Sequence, residues 1–507
     1  MMHRVSVCLP FSLPLALILG LAAPSVYAGD PPPPAGDEIL VDEGTGDEVI
    51  LDGGGEGDAV ILEDETGGDE VILDEGAPGG GGEAGPAVEV ERKGESETTE
   101  EPAPSGASFD FGLKEARAEF GYLGLDAAPA DSSSYAHALL YGDWRPDPAW
   151  QVRLEARVDG YYQDGARDWK ALQLDYGETF LRFRGEDVRV TLGTQTVLWG
   201  RIDELPPSDR LSRVDATRGV LDGLSERRRA LPAVRVESFW GDGKLDLVWL
   251  PAFRGAKLSD PDGVWYPLDH TSGRILGLET TPALRALVRQ AAIDDDAPDG
   301  DGGFGVRFSR TLPALDFALT VQNDRQSTPY FRYDPGSNRL LAQYPRSWLL
   351  GGDLGLEAGG ATWRLEAAWL SDLPVTRKAT GYTTVEAVNW AAGVEFYPGD
   401  GDTRVNLQVV GLNLVHTARS EVYDRTPFYN LNGSVEAPFA HDTWRAKLRF
   451  FVGLDKHDLY LNPEIAWVGW DPHEISLQFH HFEGDEGTLG GFYQDNDLLT
   501  LGWRASF

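Results

Sequence analysis

Arginine recurs at alternate positions through much of this sequence. Arg153 and Arg157, Arg182 and Arg184, Arg189, Arg235, Arg364, Arg404, and Arg445 with Lys447 and Arg449 keep that two-residue rhythm. A guanidinium offers a rigid fork of donors that matches carboxylate and phosphate oxygens. Cations of this kind turned toward one space would favour anions or anionic head groups. Glu155, Asp159, Glu237 and Glu366 lie on the same faces, so the set leans basic. Any single member is explained by ion pairing in a wet interior; the whole set reads as anion selection.

A second constellation runs from Leu192 to Asp215 and ends with Arg227, Arg228 and Arg229, before a strand opens near Val234. It leaves a strand and enters a stretch rich in Arg and Asp. Trp199 and Gly200 would make the turn. Arg201, Asp203, Asp209, Arg210, Arg213 and Asp215 would form an ion-pair mesh. The segment is read as a constriction, and a surface loop is the competing placement.

The elements that carry these residues are short and alternate with a period of two. Val152, Leu154, Ala156 and Val158 face one way, and Arg153, Glu155, Arg157 and Asp159 the other. Trp363, Leu365, Ala367 and Trp369 oppose Thr362, Arg364 and Glu366; Trp444, Ala446, Leu448 and Phe450 oppose Arg445, Lys447 and Arg449. A soluble sandwich also alternates. Strands of about ten residues suit a tilted membrane crossing. Aromatics near strand ends (Tyr161, Tyr162, Trp240, Trp369, Tyr397, Trp467 and Trp470) suit interfacial girdles. The expected fold is therefore all-β: a transmembrane antiparallel barrel of about 16 strands, within a range of 14–18. The charged faces then line the lumen. A change of phase near Gly177 predicts a bulge in the strand from Leu172 to Arg184.

The chain closes on Leu499, Leu501, Trp503, Ala505 and Phe507 at alternate positions, with Phe at the end. This resembles the C-terminal assembly signal of bacterial outer-membrane barrels, although Ala505 stands where an aromatic is usual. The resemblance implies the barrel-assembly machinery and outer-membrane lipid as partners. From Val188 to Leu250, a G-x-Q-x-x-x-W-G run, a Pro-Pro-Ser-Asp turn and a strand after Leu-Pro are similar to a poorly characterised family of porin-like outer-membrane proteins of proteobacteria. Its members often occur beside resistance-nodulation-division type exporters of lipids or other hydrophobic compounds.

A second insertion, 252–302, is too long for a turn. Pro282 follows Thr281 at a first helical position, and Leu284, Leu287, Val288 and Ala291 make an apolar stripe at helical spacing. This helix is expected to plug the lumen, cap its outer mouth or pack within a loop domain. Asp294, Asp295, Asp296, Asp299 and Asp301 follow it as a calcium candidate or a solvated loop.

Catalytic signals are weak. His473 and the His480-His481 pair lack the ligand spacing of a zinc site. His480, on the polar face, has no recognisable serine partner of the outer-membrane phospholipase kind. No phosphate-binding glycine pattern follows a strand. Neither an enzyme nor a metal or cofactor is expected.

The start of the chain differs from the rest. Residues 1–28 read as a signal peptide, with Arg4, an apolar stretch to Ala23, and Val26-Tyr27-Ala28 before the cut. The only cysteine, Cys8, lies inside it. Residues 29–107 hold 24 acidic and 2 basic side chains and no aromatic, which predicts a disordered acidic tail on the periplasmic side. Within the tail, GDEILVDEG recurs in variant form from Gly46, Gly57 and Gly68. Each copy brackets three aliphatics with acids and suits strand addition to a periplasmic or inner-membrane partner, a solvated spacer, or weakly calcium. A formal charge of −38 excludes grip on nucleic acid by bulk charge.

The barrel is thus expected over 108–507, with inserted loops 200–230 and 252–302. The leading expectation is a porin-like channel or export conduit for anionic or amphipathic small molecules. The alternative is a plugged barrel that anchors a partner through its acidic repeats. Substrate and direction of transport are not legible in the sequence.

Overall fold

The computed structural model describes residues 107–125, 128–300 and 302–507. The signal peptide, nearly all of the acidic tail and Asp301 lie outside the described residues. Eighteen antiparallel strands form one sheet. They are β1 (Ser108–Tyr122), β2 (Ser132–Asp147), β3 (Trp150–Asp164), β4 (in two pieces, Trp169–Tyr176 and Thr179–Arg184), β5 (Val188–Gln195) and β6 (Leu231–Trp240). Next come β7 (Gly243–Leu250), β8 (Gly303–Leu312), β9 (Leu315–Arg325), β10 (Arg346–Ala358), β11 (Ala361–Arg377) and β12 (Gly381–Phe396). The last six are β13 (Arg404–Leu414), β14 (Phe428–Phe439), β15 (Trp444–Gly453), β16 (Asp458–Trp470), β17 (His473–Gly484) and β18 (Leu498–Ser506). Each strand pairs with the next in sequence, and β18 pairs with β1 from Leu499↔Tyr122 to Ser506↔Glu115. The sheet is a closed barrel, at the top of the expected strand range.

The sequence alternation explains which way the sheet faces. Leu172 and Leu174 on β4, Leu319 on β9 and Leu154 on β3 are exposed on the outside, while Asp159, Gln322, Asp324 and Asn432 are buried within. Apolar side chains outside and charges inside suit a sheet wrapped in hydrocarbon. Tyr162, Trp240 and Trp470 are exposed as a girdle requires, whereas the Tyr397 hydroxyl donates to the lumen carboxylate of Glu395 at 2.9 Å. Tyr161 is buried in the lumen, where Lys257 Nζ donates to its hydroxyl at 3.1 Å. Adjacent tyrosines on a strand must face opposite ways, so only one of the pair could meet lipid.

The predicted phase change occurs at Gly177. Both pieces of β4 pair with β3, and the outward positions switch from Leu172 and Leu174 to Leu181 and Phe183. A Cβ on Gly177 would lie 2.5 Å from Glu155 Oε2 and 2.8 Å from Glu155 Cβ, so a larger residue there requires Glu155 to move.

Short turns close one end of the barrel. Gly359 and Gly360, with φ of 66° and 74°, join β10 to β11 in the left-handed conformation that matches hairpin twist. The described start of β1 and the end of β18 lie at this end too. Long connections occupy the other end, and two of them turn inward. Residues 196–230, between β5 and β6, include helix α1 (Leu224–Arg227). Residues 251–302, between β7 and β8, include α2 (Pro282–Val288), with Thr281 accepting from Leu284 N as its cap. A last short helix, α3 (Leu489–Tyr493), precedes β18. Arg213–Ala216 pairs with Arg228–Arg229 on one side and with Lys257–Leu258 on the other, which joins the two insertions.

The outward face generates a prediction. Leu319→Arg, mid-strand on β9, should cost about 2–4 kcal/mol of folding stability in lipid, measured by equilibrium refolding into bilayers. An unchanged stability would mean that this face does not meet hydrocarbon.

Candidate pore lining and constriction

The 196–230 segment is fixed by the wall. Gly200, at φ +110°, lets the chain turn close to β11; a Cβ there would lie 2.7 Å from Glu366 Oε1. The Glu366 carboxylate accepts from Ser208 N and Ser208 Oγ, both at 2.6 Å, and from Arg201 N at 2.9 Å. Gln322 on β9 donates to Ser208 O. These contacts bind the backbone of the turn, so they do not depend on long flexible side chains of the segment.

The charged residues of the segment reach outward from that turn. Arg201 Nε donates to Asp353 at 2.7 Å, and Asp353 also takes Arg307 of β8 at 2.6 Å. Asp203 accepts from Arg364 at 3.1 Å, from Gln408 at 2.9 Å and from Asn406. Arg213 pairs with Asp324 at 2.7 Å, both side chains fully buried. Asp215 pairs with Lys257 at 2.9 Å and with Arg157 at 3.6 Å. Burial opposes the charge of Asp215, but Lys257 and Arg157 outweigh it and hold the carboxyl below its usual range. Trp199 is buried against the wall and donates from Nε1 to Asp246 at 3.0 Å.

Farther along, Glu204 takes Arg449 Nε at 2.8 Å and lies 3.9 Å from Arg227. Arg449 also donates to the carbonyls of Val220 and Leu221, at 3.0 and 3.3 Å. Arg218 pairs with Glu119 of β1, and Glu226 with Arg504 of β18 at 2.6 Å. Burial opposes the charge of Glu226, yet Arg117, Arg504 and Lys447 hold its carboxyl far below the usual range. The segment therefore touches β1, β7, β9, β10, β11, β13, β15 and β18. It crosses the bore.

This corrects the expected mesh. Among the six charged residues assigned to it, the ion pairs of Arg201, Asp203, Arg213 and Asp215 run to the wall or to the 251–302 insertion, although Arg213 also donates to the carbonyls of Arg210, Leu211 and Ser212. Only Asp209 pairs within the segment, accepting from Ser212 Oγ at 2.8 Å and from Arg228 at 2.5 Å. Arg229 pairs with Asp175 of β4 at 2.8 Å.

The lumen is mixed in charge and does not lean basic. Arg364 is shared between Asp203 and Glu395, and Arg445 between Glu464 at 3.0 Å and Glu474 at 2.6 Å. Lys447 lies 3.8 Å from Glu436. Asp246, Asp316, Asp324, Asp353, Glu395, Glu436, Glu464 and Glu474 are the functional partners that the sequence reading missed. Part of their signal was available: Asp246 stands in register with Arg307, Glu436 with Arg404 and Lys447, Glu464 with Lys447 and Glu474 with Arg504, whereas Asp316, Asp324, Asp353 and Glu395 face no basic residue in register.

Arg210 differs from its neighbours. No ion pair to it occurs among the described residues, and its Nε and Nη2 are buried without a hydrogen-bond partner. Burial lowers its pKa to about 10, with Asp324 opposing the shift. It still carries its charge at neutral pH.

Toward the long-loop end the bore becomes apolar. Ile202, Leu205, Val220 and Leu221 of the segment pack with Trp265, Tyr266 and Leu278 of the second insertion, with α2, and with inward Phe451, Tyr460 and Phe482 of the wall. His480 lies here, hydrogen-bonded to Tyr460 at 3.0 Å; His481 points to the other face and pairs with Asp497 at 2.6 Å. The two rings do not converge on one site. Among the described residues, no group of three or more His, Cys, Asp and Glu is placed to hold a metal. Leu499, Leu501 and Phe507 are exposed on the outer face of β18, and Trp503 stacks beside His473.

No protein-family model matches the sequence, including any for the porin-like family suggested by residues 188–250, and no curated protein is a significant match. The chain is similar to several solved structures. Acinetobacter baumannii OccAB4 shares 9% identity at a TM-score of 0.45, over 80% of this chain and 98% of that one. Pseudomonas aeruginosa OccD3 (OpdP) also shares 9% at 0.45, over 80% and 92%. Salmonella typhi OmpF, in complex with daunomycin, shares 8% at 0.41, over 79% and 98%.

Glu366 should be the residue on which the position of the segment depends most. Hydrogen bonds to a charged group contribute about 1.5–3 kcal/mol each. Glu366→Ala should leave a heat-modifiable barrel but expose Arg201, Arg210 and Arg213 to trypsin. Equal resistance of variant and parent would show that the turn is held by other contacts.

Proposed function

We propose that this chain is an outer-membrane conduit for anionic or amphipathic small molecules, and that the 196–230 segment is its gate. The outward apolar face supports residence in outer-membrane lipid, and the terminal strand is the feature that assembly machinery would read. The observation that carries the anionic part is Arg210. In a segment whose other charged side chains are paired, this guanidinium keeps two buried donors free. A carboxylate or phosphate entering the bore supplies the missing acceptors. The paired arginines act differently: they hold the segment across the lumen, and their partners must separate for the bore to open.

The apolar packing at the long-loop end favours a second reading, a closed barrel that anchors a periplasmic or inner-membrane partner through the acidic repeats of 29–107. Conductance separates the two. In a planar bilayer, the parent should pass little steady current. Glu366→Ala should raise the open probability about tenfold, the effect of losing about 1.4 kcal/mol of closure. Under a KCl gradient, adding Arg210→Gln should lower the preference for anions, read from the reversal potential. Silence of a folded Glu366→Ala barrel would give the second reading the weight.

A further inference from the structure

A pocket of about 740 Å³, part of it open to solvent, lies between the inserted segments and the wall formed by β11 to β16. Leu205 lines it from the gate segment, Leu489 from α3, and Leu373, Leu412, Phe428 and Phe451 from the wall. Most of its surface is therefore hydrocarbon.

The polar part of the lining carries acceptors that lack a charged donor. Thr426 and Asn430 are both deeply buried, and two of their oxygens have no partner: Asn430 Oδ1, which can only accept, and Thr426 Oγ1, a hydroxyl that can accept or donate. Asp424 is buried beside them and has no cation within ion-pair distance among the described residues. It accepts only from neutral groups, Tyr330 Oη at 3.1 Å and Thr376 N at 2.8 Å. Arg425, next in the chain, is already held by Asp455 at 2.9 Å and by Asp458. Burial pushes the Asp424 carboxyl up to about 7, so its charge is held at a cost that a donor would relieve. Unmet acceptors in an apolar pocket select a ligand that donates. An anionic head brings only acceptors and is repelled by Asp424.

We propose that this pocket binds an amphipathic molecule with a single apolar body and a hydrogen-bond-donating head, an amine or an alcohol, seated on Thr426, Asn430 and Asp424. The site is separate from the anion contact at Arg210, and binding there does not require that the barrel conduct. Because Leu205 belongs to the gate segment, an occupant also bears directly on the gate; only this last consequence rests on the function proposed above.

The test is calorimetry on the full chain refolded in lipid nanodiscs, with 1-octylamine, 1-octanol and octanoate as probes and empty nanodiscs as the baseline. The amine, the alcohol or both should bind saturably, with octanoate about tenfold weaker. Thr426→Val, which keeps the side-chain shape, should weaken binding about tenfold, and Asn430→Ala likewise. Asp424→Asn should weaken the amine while sparing the alcohol, which separates the two head groups. Heat-modifiable migration checks that each variant is folded. Octanoate binding as tightly as the other probes would overturn the proposal, as would absence of saturable binding to the folded parent or an unchanged affinity in folded Thr426→Val.

Discussion

Everything in this molecule follows from the seam where β18 meets β1. Hydrocarbon offers no partner to an unpaired backbone N–H or C=O, so a sheet in lipid must close on itself. Closure fixes the circumference by strand number. With 18 strands the bore is wider than wall side chains can fill. The inward positions must then be wet, or be covered by chain from elsewhere. Here the covering comes from the connections after β5 and β7, and the inward charges are paired with that chain as well as with one another.

The way the covering is held changes along the bore. Near the short turns, Arg404, Arg445, Lys447, Glu436 and Glu474 keep partial exposure and line a charged vestibule. At mid-depth, Glu366, Asp353 and Asp324 bind the 196–230 segment through hydrogen bonds and ion pairs that are almost wholly buried. Toward the long loops, apolar side chains take over. Removing one member of a buried pair leaves its partner uncompensated, and this costs more than the intact pair contributes. The mid-depth layer is therefore specific in register, and the apolar layer supplies most of the burial.

Strand alternation, the terminal strand, the break at Gly177 and the helix after Thr281 were legible because each depends on neighbours within about ten residues. The ion pairs were not. Arg201 with Asp353 and Arg449 with Glu204 join residues far apart in sequence, and only barrel curvature and the path of the segment bring them together. The acids of the wall were legible in kind but not in effect, since an inward Asp looks the same whether it faces water or an arginine. Tyr460 and Phe482 were hidden for another reason. They sit at inward positions where alternation predicts polarity, and they are apolar because the second insertion, and not water, lies against them.

Wall and segment are joined at many points around the bore, so no single ion pair closes it. The backbone contacts to Glu366 are the exception. They fix the turn at Gly200 and Ser208, and the arginine and aspartate contacts on either side take their geometry from that turn. If the turn is released, Arg201, Asp203 and Arg213 each retain a partner on a different strand, which opposes motion in any one direction. A molecule that displaces the segment must therefore replace several polar contacts at once. Arg210 already holds unmatched donors at mid-depth, and the pocket beside Leu205 holds unmatched acceptors nearer the outside. At both places a ligand gains contacts before any wall pair has to break.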